Sequence, residues 1–139
     1  MQPPVGLGET HESSHTFTPD SVRMFANLCG DTNPIHLDAD FAAQSVFGRR
    51  IVHGAFVASL ISRALGCGMP GSGTIYMGQQ LRFLAPVFVD DTVNVHLEVV
   101  EVKSKGNLRI KTNVSRADGT LVVEGEAFVK TPRNRATQQ

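Results

Sequence analysis

The sequence predicts an α+β domain in which helices come first and an antiparallel sheet follows. Three observations carry this expectation. Apolar residues recur at helical spacing in the first half, the stretch from Gly54 to about Cys67 is apolar nearly all round, and the period changes to two after residue 74. A helix without a broad polar face must be wrapped, and the sheet is the large partner the chain supplies. The length of 139 residues fits one domain.

Residues 1–12 and 132–139 are polar or rich in glycine and proline without periodicity. They are expected to fray as tails on either side of a single domain over 13–131. Thr18-Pro19-Asp20 opens a helix, with Thr18 as N-cap, Pro19 at the first helical position and Asp20 in the first turn. Val22, Phe25, Ala26 and Cys29 then form one apolar stripe, and Gly30 ends it. Pro34 cannot continue a helix and pushes Asn33 out of the α region, so residues 31–38 read as a non-helical loop. Asp38 caps a second short helix running to about Gln44.

The central helix is expected from Gly54 to about Cys67, buried on most sides, with Gly66, Gly68 and Pro70 as stop signals. Four strands follow at 74–84, 92–103, 107–116 and 120–130. In the second, Val93, Val95, Leu97 and Val99 alternate before Val100 and Val102 continue in the opposite phase, which predicts a bulge near Val99–Val100. Asp118-Gly119 is a strong hairpin signal and Lys105-Gly106 a weaker one.

Thirteen basic and thirteen acidic side chains cancel, which argues against a nucleic-acid protein with its basic face. Cys29 and Cys67 form neither a CxxC pair nor a disulfide framework, and read as small buried hydrophobes in a reducing compartment. No basic segment followed by an apolar run opens the chain, and no apolar stretch approaches the ~20 residues of a membrane span. The expected location is cytoplasmic.

Asp31-Thr32-Asn33-Pro34-Ile35-His36 places a carboxylate and an imidazole on one loop between two helices. These are the two commonest proton-transfer groups near neutral pH, and Asn33 and Pro34 are turn formers that can aim both one way. Spacing alone equally admits a capped, solvated turn. Ile51-Val52-His53-Gly54 opens the central helix, where free N–H groups and the dipole suit a carbonyl oxygen gaining negative charge. Spacing alone also allows Gly54 to serve close packing. His11 and His15 have i,i+4 metal spacing but no third ligand, and no metal site is assigned. The glycine-rich run 66–73 follows a helix and precedes a strand, the reverse of a phosphate loop.

DTNPIHLDADFA, then GRRIVHGAFVASLIS, then IYMGQQLRFLAPVFVDDTV, together resemble the MaoC-type, (R)-specific enoyl-CoA hydratase family over roughly residues 16–130. The resemblance implies a hot-dog fold, a long helix wrapped by an antiparallel sheet, and a homodimer. It implies Asp31 and His36 as catalytic residues and Gly54 as the donor to the thioester carbonyl. The serine of the family's central helix matches Ser62. Asn33 beside the dyad, Ser62, and Leu65 at i+3 from it are the candidate substrate-binding residues. The implied substrate is an acyl-CoA thioester, with coenzyme A as part of the substrate and no metal or redox cofactor. The expected mechanism has Asp31 take a proton from water as it attacks C3, and His36 deliver a proton to C2.

Three rivals remain at this point. An acyl-CoA thioesterase of the same fold would typically place a carboxylate on the central helix, and residues 54–68 contain none. A 3-hydroxyacyl-thioester dehydratase of fatty-acid synthesis would run the same chemistry backwards on a carrier protein. A non-catalytic acyl-thioester binding protein would need the cavity but not both proton-transfer groups. Arg49, Arg50, Arg63 and Arg82 are the candidates for a cationic patch at the mouth.

Overall fold

A computed structural model describes residues 5–131 of the chain. Helix α1 spans Pro19–Cys29, and the Thr18 hydroxyl caps it by accepting the Ser21 N–H at 3.1 Å. Gly30 ends the helix at φ 84°, a left-handed conformation that glycine adopts without steric cost. Two short helices follow, α2 (Pro34–Leu37) and α3 (Ala39–Ala43), the latter capped by the Asp38 carboxylate. Helix α4 (Gly54–Arg63) runs into a π-helical turn at Ala64–Gly68.

Five strands form one antiparallel sheet: β1 (Thr10–Thr16), β2 (Ile75–Phe83), β3 (Thr92–Val102), β4 (Asn107–Arg116) and β5 (Leu121–Lys130). Their order across the sheet is β1-β3-β4-β5-β2, which leaves β1 and β2 at the edges. Alternation buries Val93, Val95, Leu97 and Val99 of β3, and Leu108, Ile110 and Val114 of β4. These join Val57, Leu60 and Ile61 of α4 in one core cluster. The register shifts between Val99 and Glu101, so Val100 is the bulge that the change of phase announced. Gly119, at φ 89°, turns the β4–β5 hairpin. A helix packed on an antiparallel sheet is the arrangement expected of a hot-dog fold.

Four differences from the sequence reading matter. The stretch expected to fray at the N-terminus contains, from Thr10, the whole start of β1, and Val5 before it is buried. The inner positions of β1 are His11, Ser13 and His15, so polarity hides the period-two signal. Residues 132–139, the expected C-terminal tail, lie outside the described residues. Residues 34–37 of the loop form one helical turn, with Pro34 at its first position, where its missing N–H costs nothing. Helix α4 is buried on one face only: Ala55, Ser59, Ser62 and Arg63 are exposed. Its all-round apolar pattern came partly from alanines, which do not require burial. Cys29 and Cys67 are likewise exposed rather than buried. No helix among the described residues is long and apolar enough to cross a membrane.

Candidate active site

The segment after α1 is shaped by its own side chains. Asn33 N–H donates to Asp31 Oδ1 at 3.2 Å, and Ile35 N–H to Asn33 Oδ1 at 3.1 Å. These successive turns reverse the chain and start α2. They bring the Asp31 and His36 side chains together, with Asp31 Oδ2 3.9 Å from His36 Nε2. That separation is too long for a direct hydrogen bond. Asp31 is 54% exposed and His36 9% at the side chain, so the carboxylate faces out and the imidazole is built into the wall.

Residues 51–54 hold this loop in place. Ile51 N–H donates to Ile35 O at 3.2 Å, and Ile51 O accepts from His36 Nδ1 at 2.8 Å. A carbonyl can only accept, so Nδ1 carries the hydrogen, and in the neutral ring Nε2 presents a lone pair towards Asp31. Burial pushes the His36 imidazole below its ordinary value. The Ile51 bond opposes this, the neighbouring His53 ring adds to it, and the Asp31 carboxylate opposes it. His53, 2% exposed, donates from Nε2 to Asp31 O at 2.9 Å. Its ring stacks on His36 with centroids 3.7 Å apart and planes 26° from parallel.

His53 is also the N-cap of α4, but its side chain makes no cap bond. The Gly54 N–H, in the first turn, therefore has no intrahelical partner. Gly54 lines an apolar cavity of about 360 Å³ with Ile51, Val57, Phe83, Pro86 and Val87. A Cβ at Gly54 would lie 3.0 Å from the Phe83 ring, so glycine lets that ring close over the helix end. Residues 51–54 thus bind the loop that carries the Asp31 carboxylate and His36 imidazole, present the Gly54 N–H and form part of the cavity wall, although neither Asp31 nor His36 lines that cavity. That combination suits addition or elimination next to a carbonyl.

The model of the MaoC like domain matches residues 2–120. The chain is 44% identical over 127 residues to an (R)-specific enoyl-CoA hydratase of Aeromonas caviae, across 91% of this chain and 95% of that protein. The chain belongs to the MaoC-like family. It is 46% identical over 130 residues to a 3-hydroxybutyryl-CoA dehydratase of Methylorubrum extorquens, across 93% of this chain and 81% of that protein. The solved (R)-hydratase of A. caviae involved in PHA biosynthesis superposes with a TM-score of 0.90 at 43% identity, across 92% of this chain and 98% of that one. An R-hydratase of Pseudomonas aeruginosa gives 0.89 at 41%, across 92% and 83%. These matches show the hot-dog fold.

Within this MaoC-like site the structure sorts the remaining candidates. The Asn33 side-chain oxygen is spent on capping α2, and it is the Asn33 main-chain N–H that meets Asp31. Ser62 is exposed on the outer side of α4, not a buried serine in need of a partner, while Leu65 is buried in the core. Neither lines the cavity at Gly54. Ser62 faces out of the chain, whereas Leu65, one turn on, packs into the core. Arg82 pairs with Glu124 at 3.5 Å, and the Arg49 guanidinium lies 3.9 Å over the Phe88 ring. The residue that sequence reasoning missed is His53. An imidazole in an otherwise apolar helix start needs a partner once buried, and that was the signal to follow.

Asp31, His36 and His53 each offer a ligand atom within 4.8 Å of the others. The stacked rings argue against a metal there. A coordinating imidazole holds its metal in the ring plane at about 2.0–2.1 Å, and two nearly parallel rings cannot both do so for one ion.

Because the folded protein disfavours the His36 proton, the unfolded chain binds more protons as pH falls below the ordinary value of 6.5. This contribution to stability is intact above 6.5 and shrinks towards the lower folded value. A ¹⁵N histidine titration is expected to show His36 as the neutral Nδ1–H tautomer near neutral pH, with its midpoint below 6.5. A midpoint at or above 6.5, or the Nε2–H tautomer, would contradict the geometry.

Proposed function

We propose that this chain is an (R)-specific enoyl-CoA hydratase, adding water reversibly across the double bond of a trans-2-enoyl-CoA. The observation that carries the reading is the Asp31–His36 pair, bonded to Ile51 and His53 just before Gly54, in a chain similar to named hydratases along most of its length. The thioester carbonyl would lie on the Gly54 N–H, with its acyl group directed into the adjoining apolar cavity. One water would sit between Asp31 and His36.

The tautomer favours a different division of labour from the one expected from sequence. Nε2 enters unprotonated, so it is the imidazole that takes a proton as the water oxygen bonds to C3. The C2–C3 π pair moves towards the thioester, and charge develops on the oxygen facing Gly54. The imidazolium then returns that proton to C2 from the same side, giving net syn addition. Asp31 accepts a hydrogen bond from the water and stabilises the transient imidazolium. The reverse path is the dehydration for which the M. extorquens relative is named.

A homodimer accords with the edge strand β2. Ile75, Tyr76, Met77 and Phe83 are all large apolar side chains left exposed there. Pairing two copies of β2 would cover an edge that soluble proteins do not leave open. Phe83 also walls the Gly54 cavity, so the interface and the site share a side chain. The two exposed, unpaired thiols suit a reducing, cytoplasmic setting.

With crotonyl-CoA, loss of the conjugated enoyl absorbance is expected for the native chain. Asp31→Asn and His36→Gln should each lower kcat by roughly 10²–10⁴-fold. Near-normal turnover in either variant would remove that residue from the chemistry. Silence of the native chain with short and long enoyl thioesters alike would favour a binding protein. Sedimentation should give twice the 15.0 kDa chain mass, and Met77→Lys should reduce it to one copy. A native monomer with full turnover would refute the dimer.

A further inference from the structure

We propose that His53 is the positioning residue of this site, holding the Asp31 main chain and bracing the His36 ring so that the dyad keeps its geometry relative to Gly54. The inference rests on the hydratase reading for its kinetic consequences, but not for its structural ones.

The position is an unexpected one for histidine. An N-cap normally carries a short side chain that accepts from its own helix, and His53 makes no such bond. Its side chain instead turns away and donates from Nε2 to the Asp31 carbonyl at 2.9 Å, across 22 residues of chain. Burying an imidazole is costly unless its polar atoms are met, and here one is not. His53 Nδ1 is buried without a partner among the described residues. The bond to a carbonyl, which can only accept, places a hydrogen on Nε2.

The ring is one of a row of aromatics. Phe56 stacks on Phe25 at 4.8 Å with planes 2° apart, Phe25 lies 5.0 Å from His53, and His53 lies 3.7 Å from His36. This row runs from α4 and α1 to the catalytic imidazole. It limits rocking of His36 about its single bond to Ile51. Asp31 is held at the other end by the Nε2 bond, so one side chain touches both members of the dyad. Since His53 is covalently next to Gly54, it also sets where the carbonyl donor stands relative to them. A shift of about 1 Å in such a constellation can cost roughly 10²-fold in rate.

Two variants separate the contacts. His53→Phe keeps a flat ring against His36 and removes the donor. His53→Gln keeps a donor near the Nε2 position and removes the ring. Each is expected to lower kcat on crotonyl-CoA between roughly tenfold and 10²-fold with KM little changed. The ¹⁵N signals of the His36 ring should move more in His53→Gln, the variant that loses the stack. A purely structural role would lower the melting temperature while leaving kcat per folded molecule and the His36 signals as in the native chain. That result in either variant overturns the proposal. Should a variant fail to fold, the native protein still decides: ¹⁵N spectra must show a hydrogen on His53 Nε2, and a bare Nε2 overturns the proposal. If the native chain hydrates no enoyl thioester, the hydratase reading fails separately, and the tautomer and the His36 signals still judge His53.

Discussion

The loop from Asp31 to His36 contains one turn of helix and little else that is regular, so its shape depends on what it is bonded to. Three hydrogen bonds tie it to residues 51–53: Ile51 N–H to Ile35 O, His36 Nδ1–H to Ile51 O, and His53 Nε2–H to Asp31 O. Each is worth only about 0.5–1.5 kcal/mol net, whereas a buried partner left unmet costs about 1–3 kcal/mol. The set therefore matters more for register than for bulk stability. If the loop slips by one residue, all three bonds are lost together. The grip is itself anchored, since Val52 N–H donates to Val87 O at 2.7 Å and Ile51 bridges to Phe88. The site is thus fastened to the connection between β2 and β3, and through it to the sheet.

This fastening explains how a loop can carry chemistry that demands fixed distances. Helix α4 brings its N-terminus to the loop while its inner face, with Val57, Leu60 and Ile61, locks into the core. Phe83 on the edge strand closes the cavity from the other side. The Asp31–His36 loop is therefore held by the start of α4, although it does not reside on that helix. The outer face of α4, with Ala55, Ser59 and Ser62, remains open within one chain. It is small-sided, which suits close approach of a second surface.

Much of this was legible in the sequence where side-chain period and cap chemistry agree. The α1 boundaries followed from Thr18, Pro19 and Gly30, and the β3 bulge from the change of phase at Val100. The pairing of Asp31 with His36 followed from turn formers between them. What escaped had no periodic signature. Strand β1 presents His11, Ser13 and His15 inward, and it pairs with β3 far along the chain, Thr10 with Glu98 and Thr16 with Thr92. The ring of His11 occupies the space that a Cβ on Gly68 would need, a long-range fit that local pattern does not express. Ser62 was expected to be buried on a helix wrapped all round, and it lies instead on the exposed face of α4. His53 escaped because its partners, Asp31 O and the His36 ring, lie on another segment.

Water activated between Asp31 and His36 would deliver its hydrogen to C2 from the side where its oxygen reached C3. Hydration of crotonyl-CoA in D₂O tests this most directly, with the product's configuration read at C3 by chiral chromatography and at C2 by NMR. The expected product is a single (R)-3-hydroxybutyryl thioester with one deuterium at C2, placed syn to the new hydroxyl. An (S) or racemic alcohol, or deuterium anti to the hydroxyl, would contradict it.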